Sequence, residues 1–197
     1  MQKRHFLGTL GGTALATLSP GASARPAAGP ALLTVTGAIG RGNRGPLDAA
    51  LDQMMAKQQL HFDKAHAFDY EDLRALPALT IRPTLEYDRK VHTLRGPLLL
   101  DVLHAAGAPV QGTHKLVLRA IDGYTVSVDL AQARHYRFIV ATHLDGRPMP
   151  LGGLGPLWAV FDADRHADMA ARPLPERYAQ CPWGLYHVDV QATQAVG

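Results

Sequence analysis

The stretch from 80 to 107, T-I-R-P-T-L-E-Y-D-R-K-V-H-T-L-R-G-P-L-L-L-D-V-L-H-A-A-G, constrains this chain most. It reads as an extended segment, a glycine and then an amphipathic helix. Pro97 stands where a first helical turn tolerates a residue without an N–H. Leu99, Leu100, Val102 and Leu103 recur with the spacing of one helix face, and Gly107 is placed to end the helix in a left-handed conformation. The pattern predicts a buried helix over 97–106.

The rest of the chain supplies strands and short helices to pack against it. Residues 31–39, with Val35 between threonines, read as a first strand. A glycine-rich turn at 40–46 precedes a helical spacing over 47–60, carried by Leu47, Ala50, Leu51, Met54 and Met55. Asp69 can cap a short helix bearing Leu73 and Leu76, stopped by Pro77. Residues 116–121 and 124–128 flank Asp122-Gly123, a two-residue hairpin signal. Asp129 can cap a further helix, and 137–144 runs as a strand into the turn Asp145-Gly146. The last two strands are expected at 157–161 and 186–190. Strands and helices interleave without regular βαβ spacing, which predicts an α+β domain with a mixed sheet and short helices.

Residues 1–24 have the three parts of an export signal. Lys3 and Arg4 form the charged start, 6–18 the apolar middle, and Ala22-Ser23-Ala24 a small-residue cleavage site before Arg25. The apolar run is too short to span a bilayer, which takes about 20 residues. The segment Q-K-R-H-F-L-G resembles a twin-arginine signal with lysine in the first arginine position; a general secretory signal is the other reading. Three divisions follow: a signal at 1–24, a linker at 25–30 and a domain at 31–192, the mature protein being periplasmic or secreted. Lys3 and Arg4 are two of the chain's 20 basic residues, and 1–24 contains no acid. The remainder therefore carries 18 basic against 17 acidic side chains, a net charge of +1. That balance, with its basic residues scattered, excludes a nucleic-acid surface. The one cysteine, Cys181, has no internal disulfide partner.

From 31 to 190 the chain resembles the sulfite-oxidase-like, molybdopterin-binding oxidoreductases. The likeness lies in the order of T-V-T-G-A-I, F-D-Y-E-D-L-R-A-L-P, R-G-P-L-L-L-D-V-L-H-A-A-G, A-I-D-G-Y-T-V-S-V, L-D-G-R-P-M-P and G-P-L-W-A-V-F. It implies that fold and, in the family, a cysteine thiolate on molybdenum presented before the R-G-P helix. Counted back from Gly96, that ligand position holds Thr84, whose hard, protonated hydroxyl is no substitute for a soft thiolate. Placed on Pro156, the family's pterin-holding histidine and arginine positions hold Gly153 and Trp158. An indole cannot replace the bidentate guanidinium fork. The segment 179–187, A-Q-C-P-W-G-L-Y-H, lacks the family's final basic cluster.

The expectation is therefore a cofactor-free member of that family, without molybdenum or pterin, whose old cleft binds a small, partly aromatic ligand or a periplasmic protein partner. The cleft is expected to involve Glu86, Tyr87, Tyr124, Trp158 and backbone from Gly152 through Gly155. The alternative is a periplasmic oxidoreductase that holds molybdopterin without a protein thiolate. No metal site is expected, because His61/His66 and His166/Asp168 match no zinc spacing. Cys181 is read as a buried or idle thiol, with a nucleophile or displaced ligand as the other possibility. Trp183 is read as an aromatic of either core or cleft.

Overall fold

Leu33, Thr34, Val35 and Thr36 are all buried, so the first strand is covered on both faces. It forms β1 (Leu33–Gly37). In chain order there follow α1 (Gln53–Lys57), β2 (His66–Phe68), α2 (Tyr70–Ala75), β3 (Ala78–Ile81), β4 (Leu94–Pro97) and α3 (Leu99–Ala105). Next come β5 (His114–Ala120), β6 (Thr125–Asp129), α4 (Leu130–His135), β7 (Ile139–Ala141), β8 (His143–Leu144), β9 (Arg147–Pro148) and β10 (Trp158–Val160). A 3-10 turn at Ala163–Arg165, α5 (Ala167–Ala170), a second 3-10 turn at Leu174–Tyr178 and β11 (Leu185–Ala192) complete the order. This computed structural model describes residues 29–40 and 42–193. The expected export signal lies outside the described residues, as does the linker up to position 28.

The main sheet runs β2-β1-β11-β5-β6, with β1 and β11 parallel and the other neighbours antiparallel. A second sheet runs β3-β4-β8-β9, and β10 pairs with β7. The architecture is α+β with mixed sheets and short helices, as the interleaving implied. Leu33 and Val35 of β1, Leu116 and Leu118 of β5, and Val188 and Val190 of β11 share one core with α3, α4, β7 and β10. A smaller cluster of Met55, Leu60 and Tyr186 lies apart from that core.

The central stretch differs from its sequence reading in one respect. Pro97 closes β4, opposite Ala78, instead of opening the helix. The glycine before it is demanded by close approach: a Cβ on Gly96 would lie 1.9 Å from the Val140 carbonyl oxygen. Main-chain stitching to β7 continues at Leu99, whose N–H donates to Phe138 O at 2.8 Å, so the helix starts two residues later than expected. Leu99, Val102 and Leu103 are fully buried, and Leu100 is half-buried. Gly107, at φ +72°, ends α3. Its N–H donates to His104 O and that of Ala108 to Leu103 O, both at 2.9 Å, which is the Schellman pairing.

Other elements show where local signals prevail. The Asp69 carboxylate accepts from Asp72 N–H while the Asp72 carboxylate accepts from Asp69 N–H, a reciprocal cap on α2. The 47–60 spacing yields only the five residues of α1. Met55 is buried, but Leu51 is 82% exposed, so the apolar face has too little to pack on for a longer helix. Asp129 stands at the start of α4, yet its side chain makes no capping bond. The 137–144 run divides at Thr142, whose hydroxyl and N–H both bond Arg95 O, into β7 and β8. The hairpin between β5 and β6 uses three residues, 121–123, because Ala120 N–H donates to Tyr124 O and only Gly123 has positive φ. Asp145 and Gly146 both have positive φ, giving the expected two-residue turn between β8 and β9.

Candidate functional site

Between β3 and β4 the chain makes an excursion over 82–93, and its tip forms one wall of a cleft. The base is closed by backbone bonds: His92 N–H to Pro83 O at 3.0 Å and Leu85 N–H to Lys90 O at 2.9 Å. Two carboxylates hold its first arm from the side. Asp162 accepts from Arg82 N–H at 3.2 Å, and Asp164 accepts from Thr84 N–H at 2.7 Å. His92 fastens the second arm, with Nδ1 2.7 Å from Asp145 and Nε2 3.1 Å from Asp88. Those two contacts raise the imidazole's pKa. Leu85 is sunk in the core, so the two following residues, Glu86 and Tyr87, are turned to the cleft.

The second wall is the β5–β6 turn. Tyr124 N–H donates to the Asp122 carboxylate at 2.9 Å, holding the acid at the rim, and the Tyr124 hydroxyl donates to Ala179 O at 2.7 Å. The third wall is the segment from Pro175 to Trp183. Here the Tyr178 hydroxyl donates to Thr84 O at 2.7 Å, so the first and third walls are joined behind the opening. Burial, with the carboxylates of Asp164 and Asp162 behind it, raises the pKa of Tyr178 and keeps the phenol a neutral donor. Burial likewise comes first in raising Tyr87, followed by Glu86, whose charge and hydrogen bond act the same way.

The enclosed space is about 410 Å³, within the range of small-molecule sites. Its lining is Glu86, Tyr87, Asp122, Tyr124, Tyr178 and Trp183, with Ala120, Pro175, Ala179, Cys181 and Pro182 between them. Among the described residues no Lys, Arg or His lines it. Four aromatic rings and two carboxylates therefore set its chemistry.

The sequence-derived candidates fall in three places. Glu86, Tyr87 and Tyr124 come together in the cleft wall across more than thirty residues of chain. Trp158 lies in the core instead, 1% exposed, with its indole N–H donating to Cys181 O at 2.8 Å. It props the cleft from behind. Gly152 and Gly153 are exposed and Gly155 is buried against Met149, all of them outside the lining. Thr84 is half-buried and takes part through its backbone alone, N–H to Asp164 and carbonyl to Tyr178. Cys181 does line the cleft but is only 4% exposed; burial first, against a backbone hydrogen bond with Phe161, pushes its thiol pKa well up.

The residues that sequence reasoning left unassigned or unnoticed are Trp183, Tyr178 and Asp122. A signal existed for the first two: Y-A-Q-C-P-W packs two aromatics and a proline into six residues after a proline-rich turn. The chain matches no protein-family model and no curated protein. The chemistry of the cleft therefore rests on its own residues. Among the described residues no three of His, Cys, Asp and Glu are grouped to hold a metal ion. No helix among them is long and apolar enough to cross a membrane.

Proposed function

We propose that this chain is an exported, non-catalytic small-ligand-binding module, built on a sulfite-oxidase-like frame and working without the molybdenum cofactor. The observation that carries the reading is the lining of the cleft: four rings, two carboxylates and, among the described residues, no basic side chain. A molybdopterin is anionic at its phosphate and needs a soft sulfur donor from the protein for its metal. The donor set does not suit it. The Thr84 side chain offers a hard hydroxyl, Trp158 is committed to the core, and the Cys181 thiol is held protonated by burial. A neutral thiol is a poor metal ligand and a poor nucleophile. What the cleft does offer is aromatic surface of the kind that binds small organic molecules.

The test is elemental analysis and an absorbance spectrum of the protein exported by a host that makes the cofactor. The expected result is no stoichiometric molybdenum and no pterin absorbance. About one molybdenum per chain would overturn the reading in favour of a cofactor-dependent oxidoreductase. Mass spectrometry of the same material should place the N-terminus near Arg25; full-length protein retained in the cytoplasm would remove export from the proposal.

A further inference from the structure

The cleft's charge and aromatic content together select among small ligands. Glu86 and Asp122 stand on different walls, one from the 82–93 excursion and one from the β5–β6 turn, and each brings a carboxylate to the cleft. Guanidinium groups adjacent in sequence are turned elsewhere. Arg177 bonds Asp164 at 2.8 Å and the carbonyls of Arg172 and Ala170 at 2.9 and 2.7 Å. Arg119 bonds the Thr125 hydroxyl at 3.1 Å, and its charge acts on Tyr186 and His187, which do not line the cleft. Among the described residues nothing basic in its wall offsets the two carboxylates.

The rings add to that field. Tyr87 and Tyr124 are 58% and 49% exposed and Trp183 is half-buried. Among the described residues none of these three stacks on another ring. Their faces carry the negative part of the ring quadrupole, which attracts a cation and repels an anion. The tyrosine hydroxyls are already used within the protein: Tyr124 donates to Ala179 O, Tyr178 to Thr84 O, and Tyr87 is hydrogen-bonded to Glu86. A primary ammonium gives up its hydration on entering the cleft and must regain those hydrogen bonds there, from the Glu86 and Asp122 carboxylates. A methylated ammonium needs none, since its charge is spread over apolar methyl surface that the rings can cover.

We infer that the ligand is a small organic cation of the quaternary-ammonium class, held among Tyr87, Tyr124, Tyr178 and Trp183 and neutralised by Glu86 and Asp122. This rests on the small-ligand reading of the cleft and names its ligand class. Aromatic walls without the carboxylates would serve a neutral molecule equally well. Carboxylates without the walls would leave a cation in water, where surface pairing is weak. The combination favours a cation that is poorly hydrated.

Calorimetric titration of the whole mature protein at low salt tests it, with three probes: choline, its uncharged analogue bearing tert-butyl in place of trimethylammonium, and benzoate. Choline should bind at least about tenfold more tightly than the uncharged analogue, equivalent to about 1.4 kcal/mol, and benzoate should not bind measurably. Trp183→Ala should weaken choline by about tenfold or more, with partial recovery in Trp183→Phe. An uncharged analogue that binds as well as choline, or benzoate that binds better, would overturn the charge selection while leaving a small-ligand cleft. If none of the three bound, the ligand class would fall. In that event molybdenum analysis would decide separately whether the binding-module reading falls with it.

Discussion

Trp158 and Trp183 face each other across a single bridge between β10 and the segment leading to β11, and they serve opposite sides of the same wall. Trp158 is enclosed, its N–H satisfied by Cys181 O, its ring 6.2 Å from that of Tyr178. Trp183 is half-buried and lines the cleft. The difference is one of support against contact. A closed interior fixes the backbone that carries Cys181 to Trp183, and the open side keeps its aromatic surface for something else. Stability and binding should therefore be separable here by changing one tryptophan at a time.

The largest effects belong to the closed side. Leu103→Asp puts an unpaired charge among fully buried side chains of α3, and a loss of about 4–5 kcal/mol or failure to fold is expected. Trp158→Ala should cost about 3–5 kcal/mol through lost burial and the cavity left behind. Urea denaturation measures both. Variants that unfolded at the parental midpoint would place these residues at the surface.

A pH effect comes next in size. His187 on β11 is 2% exposed, with Nε2 3.0 Å from the Thr36 hydroxyl and Nδ1 without a partner. Burial first, then the charge of Arg119, pushes its pKa down to about 3. The unfolded chain takes up this proton below about pH 6.5 while the folded one refuses it until about 3, so stability falls as pH drops through that window. About 2–4 kcal/mol should be lost across it. His187→Gln should flatten the acid limb of the stability profile; an unchanged slope would mean that another group sets it.

Smaller effects mark the open side. Trp183→Ala should cost about 1–2 kcal/mol in stability, clearly less than Trp158→Ala, since its ring is only partly covered. A loss equal to that of Trp158→Ala would erase the distinction between the two sides. His92 acts with the opposite sign to His187. Its pKa is raised by Asp145 and Asp88, so its contribution is fully present below about pH 6.5 and is lost as pH rises through the folded value. His92 is half-buried but both its carboxylate partners are exposed to solvent, so screening keeps the stability change slight. The readout is an NMR titration of the imidazole, expected above the free-histidine midpoint and lowered in Asp145→Asn.

Much of the fold was legible because its signals are local. The Asp69–Asp72 cap, the Gly107 stop and the Asp145-Gly146 turn each depend on residues within a few positions of one another, and the structure keeps all three. Pro97 was misplaced because the role of R-G-P is set by β7, more than forty residues on, whose Val140 carbonyl leaves no room for a side chain at Gly96. The 47–60 run had helical spacing, but spacing says nothing of whether a surface exists to bury it, and Leu51 found none. In the cleft, Glu86, Tyr87 and Tyr124 could be named from their neighbourhoods. Which tryptophan faced the opening could not, because both stand in short apolar runs and the choice is made by a pairing between distant segments.

The central claim is that charge on the cleft walls chooses the ligand. The most direct measurement is the ratio of choline affinity to that of its uncharged tert-butyl analogue, in the parent and in a Glu86→Gln, Asp122→Asn double variant. Both substitutions keep shape and remove charge at half-buried or exposed positions, so the fold should survive. The expected result is a parental ratio of about ten or more that falls to about two or less. A ratio that stayed the same in the double variant, or that was already near one in the parent, would contradict it.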